Sequence, residues 1–132
     1  MTTFTVRRQT HEQLVDTGLA TNNAPTLATQ GMSLLSSAGV GHLCPQARVT
    51  LRSTVGTSFT SSVWLFDPTS ELWVLDTSLG TAGLITTTTA TNSGRQSLLV
   101  NTRGASRIYV QTITFNGVNE AADVWATGLT TP

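Results

Sequence analysis

Residues 63–75 read VWLFDPTSELWVL, and this stretch has the pattern of a β-hairpin. The turn-forming residues 67–70, Asp-Pro-Thr-Ser, separate two short apolar runs. With these four residues as the loop, Trp64 pairs with Trp73. Side chains alternate between the two faces of a strand, so the pairing predicts which residues lie together.

Both faces of this predicted hairpin are apolar. The face expected to point to the core carries Val63, Leu65, Leu72 and Val74. The opposite face carries Trp64, Phe66, Trp73 and Leu75. An antiparallel sheet that faces water on one side normally carries polar residues on that side. The second face of this hairpin is apolar instead, so it must also be covered. The cover is more of this chain, another subunit or a ligand, and the sequence leaves all three open.

Seven strands are predicted after residue 46, at a spacing of about 8 to 12 residues that is typical of a sandwich or barrel. They span residues 47–53, 61–66, 71–77, 84–90, 96–101, 107–115 and 123–126. Asn116-Gly117 is a strong turn signal that returns the chain toward Val124 and Trp125. The predicted fold class is all-β, a β-sandwich of jelly-roll-like form.

The first third of the chain has no strong β alternation. We therefore predict an irregular N-terminal arm at residues 1–46, followed by the β-sandwich domain at residues 47–132. In the arm, residues 2–6 favour a short strand. The pattern Thr-x-x-Gln at residues 10–13 resembles a capping box and predicts one or two helical turns over residues 11–17.

The run of four Thr residues at 86–89 is the one low-complexity stretch. Branching at Cβ favours a strand, and the hydroxyl groups suit solvent contact. We predict an edge strand or an outward-facing strand here. A hydroxyl array for ligand binding would need the same pattern on several strands, and only one strand has it.

Charged residues make up 11% of the chain, against about 25% in an ordinary soluble domain. The formal net charge is zero, and all seven cations are Arg, which interfaces accept more readily than Lys. This composition predicts a surface that lies largely against partners. The alternative is a secreted β domain kept soluble by its hydroxyl groups.

Nucleic acid is not an expected partner, because Arg7 and Arg8 form the only adjacent basic pair.

We expect no membrane partner and no export, because no apolar run suggests a secretory signal or approaches the roughly 20 residues of a membrane span. The single cysteine, Cys44, fits a reducing cytoplasm.

No catalytic, metal or cofactor site is predicted. His11-Glu12 begins like the helix of a zinc protease, but Val15 stands where the second His ligand is needed. His42 and Cys44 offer only two further ligands, which is too few for zinc. The carboxylates near the hairpin suit local turn roles better than glycoside hydrolysis. They are Asp67, Glu71 and Asp76.

Carbohydrate binding is the alternative function, since Trp64 and Trp73 on one face of a sheet form a stacking platform. Asp67, Glu71 and Asn92 would supply polar contacts to a sugar. Phe66 and Leu75 on the same face make it more apolar than a sugar site, which needs converging polar groups. A subunit interface fits this mixture of aromatic, Arg and uncharged polar residues better.

The hairpin sequence VWLFDPTSELW, together with RGASRIYVQTITFNG at residues 103–117, resembles small virion structural proteins of tailed bacteriophages. Capsid decoration, or cement, proteins are the most similar type. The resemblance implies a homotrimer bound to the major capsid protein or another virion protein, in particles assembled in the host cytoplasm. It also implies that the arm clamps the shell. Tail or fibre components with receptor-binding roles share this style.

The candidate interface residues are those of the second hairpin face, two further aromatics and the basic pair. They are Trp64, Phe66, Trp73, Leu75, Tyr109, Trp125, Arg7 and Arg8.

Overall fold

The computed structural model describes residues 8–19, 23–35, 43–55, 58–80, 82–88, 95–115 and 121–130. In these ranges the chain forms nine strands and no helix. The strands are β1 (Arg8–Leu19), β2 (Met32–Ser33), β3 (Gln46–Val55), β4 (Ser58–Asp67), β5 (Leu72–Leu75), β6 (Ile85–Thr88), β7 (Arg95–Asn101), β8 (Arg107–Phe115) and β9 (Ala121–Thr130). The predicted all-β class is confirmed, and each of the seven predicted strands corresponds to one of β3–β9.

Two antiparallel sheets pack against each other as a β-sandwich. Sheet A has the strand order β1-β9-β3-β7. Sheet B has the order β2-β8-β4-β5, with β6 paired to the N-terminal half of β4 beside β5. The jelly-roll form remains a prediction.

The core lies between the sheets and follows strand alternation. In sheet A, Val49 and Leu51 on β3 are fully buried, and the half-buried Thr50 between them faces outward. In sheet B, Val63 on β4 and Ile108 on β8 supply the opposite side of the core. Each buried aliphatic side chain of this kind stabilises the fold by roughly 1.5–3 kcal/mol. This apolar layer is the main stabilising contribution.

Two stretches of the predicted arm are strands of the sandwich. β1 pairs with β9 from Arg8 opposite Thr130 to Leu19 opposite Ala122, so the helical turns predicted over residues 11–17 are wrong. Three register irregularities interrupt this ladder, and each one breaks the period-two alternation by which a strand is recognised in sequence. The strand predicted at residues 2–6 lies outside the described residues. The division into arm and domain remains a prediction.

The last strand does not return beside β8. β9 lies in sheet A between β1 and β3, whereas β8 lies in sheet B between β2 and β4. The chain therefore crosses from one sheet to the other, and the predicted return toward Val124 and Trp125 is not a paired hairpin. The turn at Asn116-Gly117 lies outside the described residues.

The hairpin of β4 and β5 forms, but in a different register. Trp64 pairs with Leu75 and Phe66 with Trp73, so the predicted pairing of Trp64 with Trp73 is wrong by two residues. A two-residue shift leaves every side chain on its predicted face. The loop is residues 68–71, because the backbone N–H of Glu71 donates to the Asp67 carbonyl at 2.8 Å and Glu71 takes a left-handed conformation (φ 59°).

The Thr-rich strand β6 pairs with β4 alone among the described strands. The prediction of an edge strand is confirmed. Ile85 and Thr87 are buried, while Thr86 between them is exposed. The Thr87 hydroxyl donates to Oε1 of Gln96, on β7 of the opposite sheet, at 3.0 Å.

Candidate interaction site

Aromatic side chains on β4, β5 and β8 meet on the outer face of sheet B. Phe66 and Trp73 have ring centroids 5.2 Å apart at an interplanar angle of 68°. Trp73 and Tyr109 follow at 6.0 Å and 63°. Both contacts are edge-to-face, one of the two arrangements that aromatic rings prefer. Trp64, on the same face, donates from Nε1 to Oε1 of Gln111 at 3.0 Å.

Residues 23–31 of the same chain lie over this aromatic cluster. Nε1 of Trp73 donates to the Leu27 carbonyl at 3.0 Å, and the Tyr109 hydroxyl donates to the Asn23 carbonyl at 3.1 Å. Phe66 is only 8% exposed. Of the three covers that the sequence left open, more of this chain supplies at least part. We call residues 23–31 the covering segment.

Arg107 holds the C-terminal end of the covering segment. Its Nε donates to the Gln30 carbonyl at 2.7 Å, and one terminal nitrogen donates to the carbonyls of Gly31 and Thr29 at 2.8 and 3.2 Å. Hydrogen bonds from a charged donor are stronger than neutral ones. One side chain therefore satisfies three carbonyls of a segment that is otherwise largely exposed.

Hydrogen bonds within the covering segment also fix its backbone. Oε1 of Gln30 accepts hydrogen bonds from the backbone N–H groups of Thr26 and Leu27 at 2.7 and 2.8 Å. Gly31 follows with φ +74°, and a Cβ there would lie 2.2 Å from the Ile108 carbonyl oxygen. Only glycine allows this close approach to β8.

The remaining candidate residues lie elsewhere. Trp125 is on β9 of sheet A, with the Arg52 guanidinium 5.2 Å from its ring centroid. That guanidinium also forms an ion pair with the buried carboxylate of Asp123. Arg8 begins β1, but its side chain and all of Arg7 lie outside what the structure describes. Five of the eight candidates thus share one face: Trp64, Phe66, Trp73, Leu75 and Tyr109.

Similarity to known proteins is the other source of information on function. No family model, curated protein or solved structure matches this chain.

The described parts of the chain contain no helix that is long and apolar enough to cross a membrane. Among the same residues, no three His, Cys, Asp or Glu side chains come together as a metal-binding group.

Three carboxylates have structural roles. The Asp67 carboxylate accepts hydrogen bonds from the Thr69 N–H and the Ser70 hydroxyl across the hairpin loop. The Thr69 N–H is the main cause of a lowered pKa of Asp67, and the Ser70 hydroxyl is the second. Oδ1 of Asp76 accepts from both the N–H and the hydroxyl of Ser78. Asp123 pairs with Arg52.

Two of the exposed large apolar residues lie on the other face of the hairpin. Leu72 is 64% exposed and Val74 is 53% exposed, although they share a face with the buried Val63 and Leu65. The prediction that they point into the core is wrong, because β5 is a four-residue edge strand whose main contacts are with β4. We call Leu72 and Val74 the β5 apolar pair.

Sequence reasoning missed the covering segment, Arg107 and the β5 apolar pair. The Trp and Tyr side chains that reach the covering segment were recognisable as needing a cover. Their partners are backbone carbonyls, which every residue has, so no residue type marks them. The exposure of the β5 apolar pair depends on which strands end each sheet, and that is a long-range property.

Proposed function

We propose that this protein is a non-enzymatic structural component of a virus particle, of the capsid-decoration type, which stabilises the shell through contacts between subunits. The major capsid protein or another virion protein is the proposed partner, and a homo-oligomer, with a trimer favoured, is the proposed assembly. The protein would act in the virion, after assembly in the host cytoplasm. The β5 apolar pair is the observation that best supports this proposal.

Exposed apolar residues on an edge strand favour association. The open edge of a strand can pair with another chain, and natural monomers usually protect such edges with charged residues or Pro. Here Leu72 and Val74 occupy the edge strand, in a chain with only 11% charged residues. Burying apolar surface contributes roughly 25 cal/mol per Å². Because the same contact would be repeated over a lattice of subunits, a modest free energy per contact would give strong overall attachment.

The covering segment favours β5 over the outer aromatic face as the contact surface. Trp73 and Tyr109 already donate hydrogen bonds to this segment, and Phe66 is buried. A partner at that face would meet the covering segment first, with Leu27 61% exposed on it, whereas a partner at β5 would meet two exposed apolar side chains of the sheet itself.

A carbohydrate-binding or receptor-binding module of a tail or fibre is the second candidate. Trp64, Trp73 and Trp125 are each only half-buried, so each ring keeps some accessible surface. Arg52 occupies one position over Trp125, and Leu27 engages Trp73, which reduces the flat area for stacking. This candidate predicts a shift of Trp fluorescence on adding an oligosaccharide.

The test is sedimentation of the particles that the encoding genome produces, followed by mass spectrometry of the particle fraction. The proposal predicts that the chain sediments with the particles in a fixed ratio to the major capsid protein. Its absence from the particle fraction, with the chain present in the soluble fraction, would contradict the proposal. A titration across a glycan panel would then decide the second candidate.

A further inference from the structure

A small pocket lies against the core-side face of the β4–β5 hairpin, beside the loop that joins β7 to β8. Its volume is about 200 Å³. Pockets for drug-sized ligands occupy about 300–1,000 Å³, so this one suits a single side chain or a small head group. Apolar residues form part of its wall. They are Leu65 and Val74 on the core-side face, Leu75 at the end of β5, and Ala105 in the loop.

Asp76 in the pocket wall has an unused acceptor. The residue is 3% exposed, and Oδ1 is engaged by Ser78. Oδ2 is buried and has no hydrogen-bond partner among the described residues. Leaving a buried polar atom without a partner is unfavourable, and more so for a charged group. Asp76 lines the pocket, so a donor that enters the pocket and draws the carboxylate toward it would satisfy this oxygen.

The charges of the wall favour a cation. Asp67 and Asp76 contribute two carboxylates, and the exposed Arg103 contributes one guanidinium. One more negative than positive group therefore lines the pocket. Thr102 does not compete for Asp76, because its hydroxyl donates to the Cys44 carbonyl.

From these observations we infer that the pocket binds the cationic side chain of a partner polypeptide, an Arg or a Lys, with its charged group at Asp76 and its aliphatic stem against the apolar wall. Long cationic side chains commonly pack their methylene groups on apolar surface in this way. The shared chemistry is an alkylguanidinium or alkylammonium group. The inference rests on the proposed function and deepens it, because the side chain would come from the partner that lies against the β5 apolar pair. The titration with small cations tests the pocket itself, so its failure is distinct from a failure of the proposed function.

The position of the pocket indicates a polypeptide rather than a free amine. Val74 belongs both to the pocket wall and to the β5 apolar pair, and Leu72 is the next exposed residue on the same face. An extended segment that lies along β5 would bury both residues while one of its side chains enters the pocket. A free amine would bury neither Leu72 nor the strand edge.

The experiment is an NMR titration of the ¹⁵N-labelled full chain with ethylguanidinium chloride, with ethylurea as the neutral control of similar shape. We expect saturable shifts of the Asp76, Ser78, Thr102 and Ala105 amides with ethylguanidinium at millimolar concentration, and none with ethylurea. A third titration uses the peptide acetyl-Thr-Arg-Thr-amide, which we expect to bind at least about tenfold more tightly.

Three variants locate the site. Asp76→Asn keeps an acceptor for Ser78 and removes the charge, so ethylguanidinium should bind about tenfold more weakly or worse. Val74→Phe fills the pocket mouth from an exposed position and should abolish the shifts. Leu72→Phe is the matched control on the same strand and face, and it does not line the pocket. If Asp76→Asn does not fold, the two Phe variants alone decide.

The inference is overturned if ethylguanidinium gives no saturable shift, if ethylurea shifts the same amides, or if Val74→Phe and Leu72→Phe behave alike. Equal affinity for ethylguanidinium and the peptide would overturn the assignment to a partner's side chain, because a free small cation would then satisfy the pocket as well.

Discussion

The two faces of the β4–β5 hairpin are both apolar, but the chain covers them to different extents. On the outer face, Phe66, Trp73 and Tyr109 contact one another and the covering segment. On the core-side face, Leu72 and Val74 remain exposed beyond the reach of the core. The larger and more aromatic face is thus partly covered by the chain itself. The smaller face stays exposed at Leu72 and Val74.

This difference shows that side-chain type does not by itself say which face of a sheet the chain covers. Aromatic residues are enriched at interface cores, but here they hold an irregular segment of their own chain on the sheet. Whether an apolar face of the hairpin is covered depends on whether another part of the chain reaches that face.

Gly31→Ala should have the largest effect on stability. A Cβ at Gly31 would collide with the Ile108 carbonyl, whereas a Cβ at Gly104 meets nothing within 4 Å. Both glycines have positive φ, so both variants carry the cost of roughly 1–2 kcal/mol for that conformation. Gly31→Ala should lose a further 1–3 kcal/mol, roughly, from the steric conflict. Urea denaturation of the two variants measures the difference, and equal losses would contradict the close approach of the covering segment to β8.

Arg107→Ala should have the next largest effect, because it removes three hydrogen bonds to the covering segment. We expect a loss of about 2–3 kcal/mol in the free energy of unfolding. The matched control is Arg48→Ala, an exposed Arg on the outer face of sheet A, which should change stability by less than about 0.5 kcal/mol. Similar results for the two variants would show that Arg107 does not hold the segment.

Trp73→Phe should cost about 1 kcal/mol or slightly more, because it removes the Nε1 bond to Leu27 but keeps an aromatic ring beside Phe66. Hydrogen exchange should accelerate at the Thr26 and Leu27 amides. Trp64→Phe is the control: it loses a bond of similar length to Gln111 and should leave those two amides unchanged. Equal acceleration in both variants would contradict a specific contact between Trp73 and the segment.

Asp67→Asn should have the smallest effect, confined to acid. The pKa of Asp67 is lowered in the folded state, so the charged carboxylate stabilises the loop above the unfolded pKa of about 3.9. That contribution disappears as the pH falls through the lower folded value. Thermal melts between pH of about 5 and about 2 should therefore show a shallower acid decline for Asp67→Asn than for the wild type. An unchanged decline would exclude this role of Asp67.

The strands were predictable where turn residues and alternation coincide, as in β4, β5 and β8. β1 was not predictable, because its bulges remove the alternation, and β2 has only two residues. The hairpin register depended on Glu71 adopting positive φ, which is uncommon for a residue with a side chain. The need for a cover on the aromatic face was readable from Trp64, Phe66 and Trp73. The identity of that cover was not, because its contacts join side chains to distant backbone carbonyls.

We propose that the β5 apolar pair, rather than the outer aromatic face, makes the contact between subunits. The most direct test is the mass in solution, measured by light scattering over a range of concentrations for the wild type, Leu72→Glu and Leu99→Glu. Leu99 is 54% exposed on the outer face of sheet A and serves as the matched control. We predict a closed oligomer for the wild type and Leu99→Glu, and a folded monomer for Leu72→Glu. A monomeric wild type, or an oligomer that persists in Leu72→Glu, would contradict the claim.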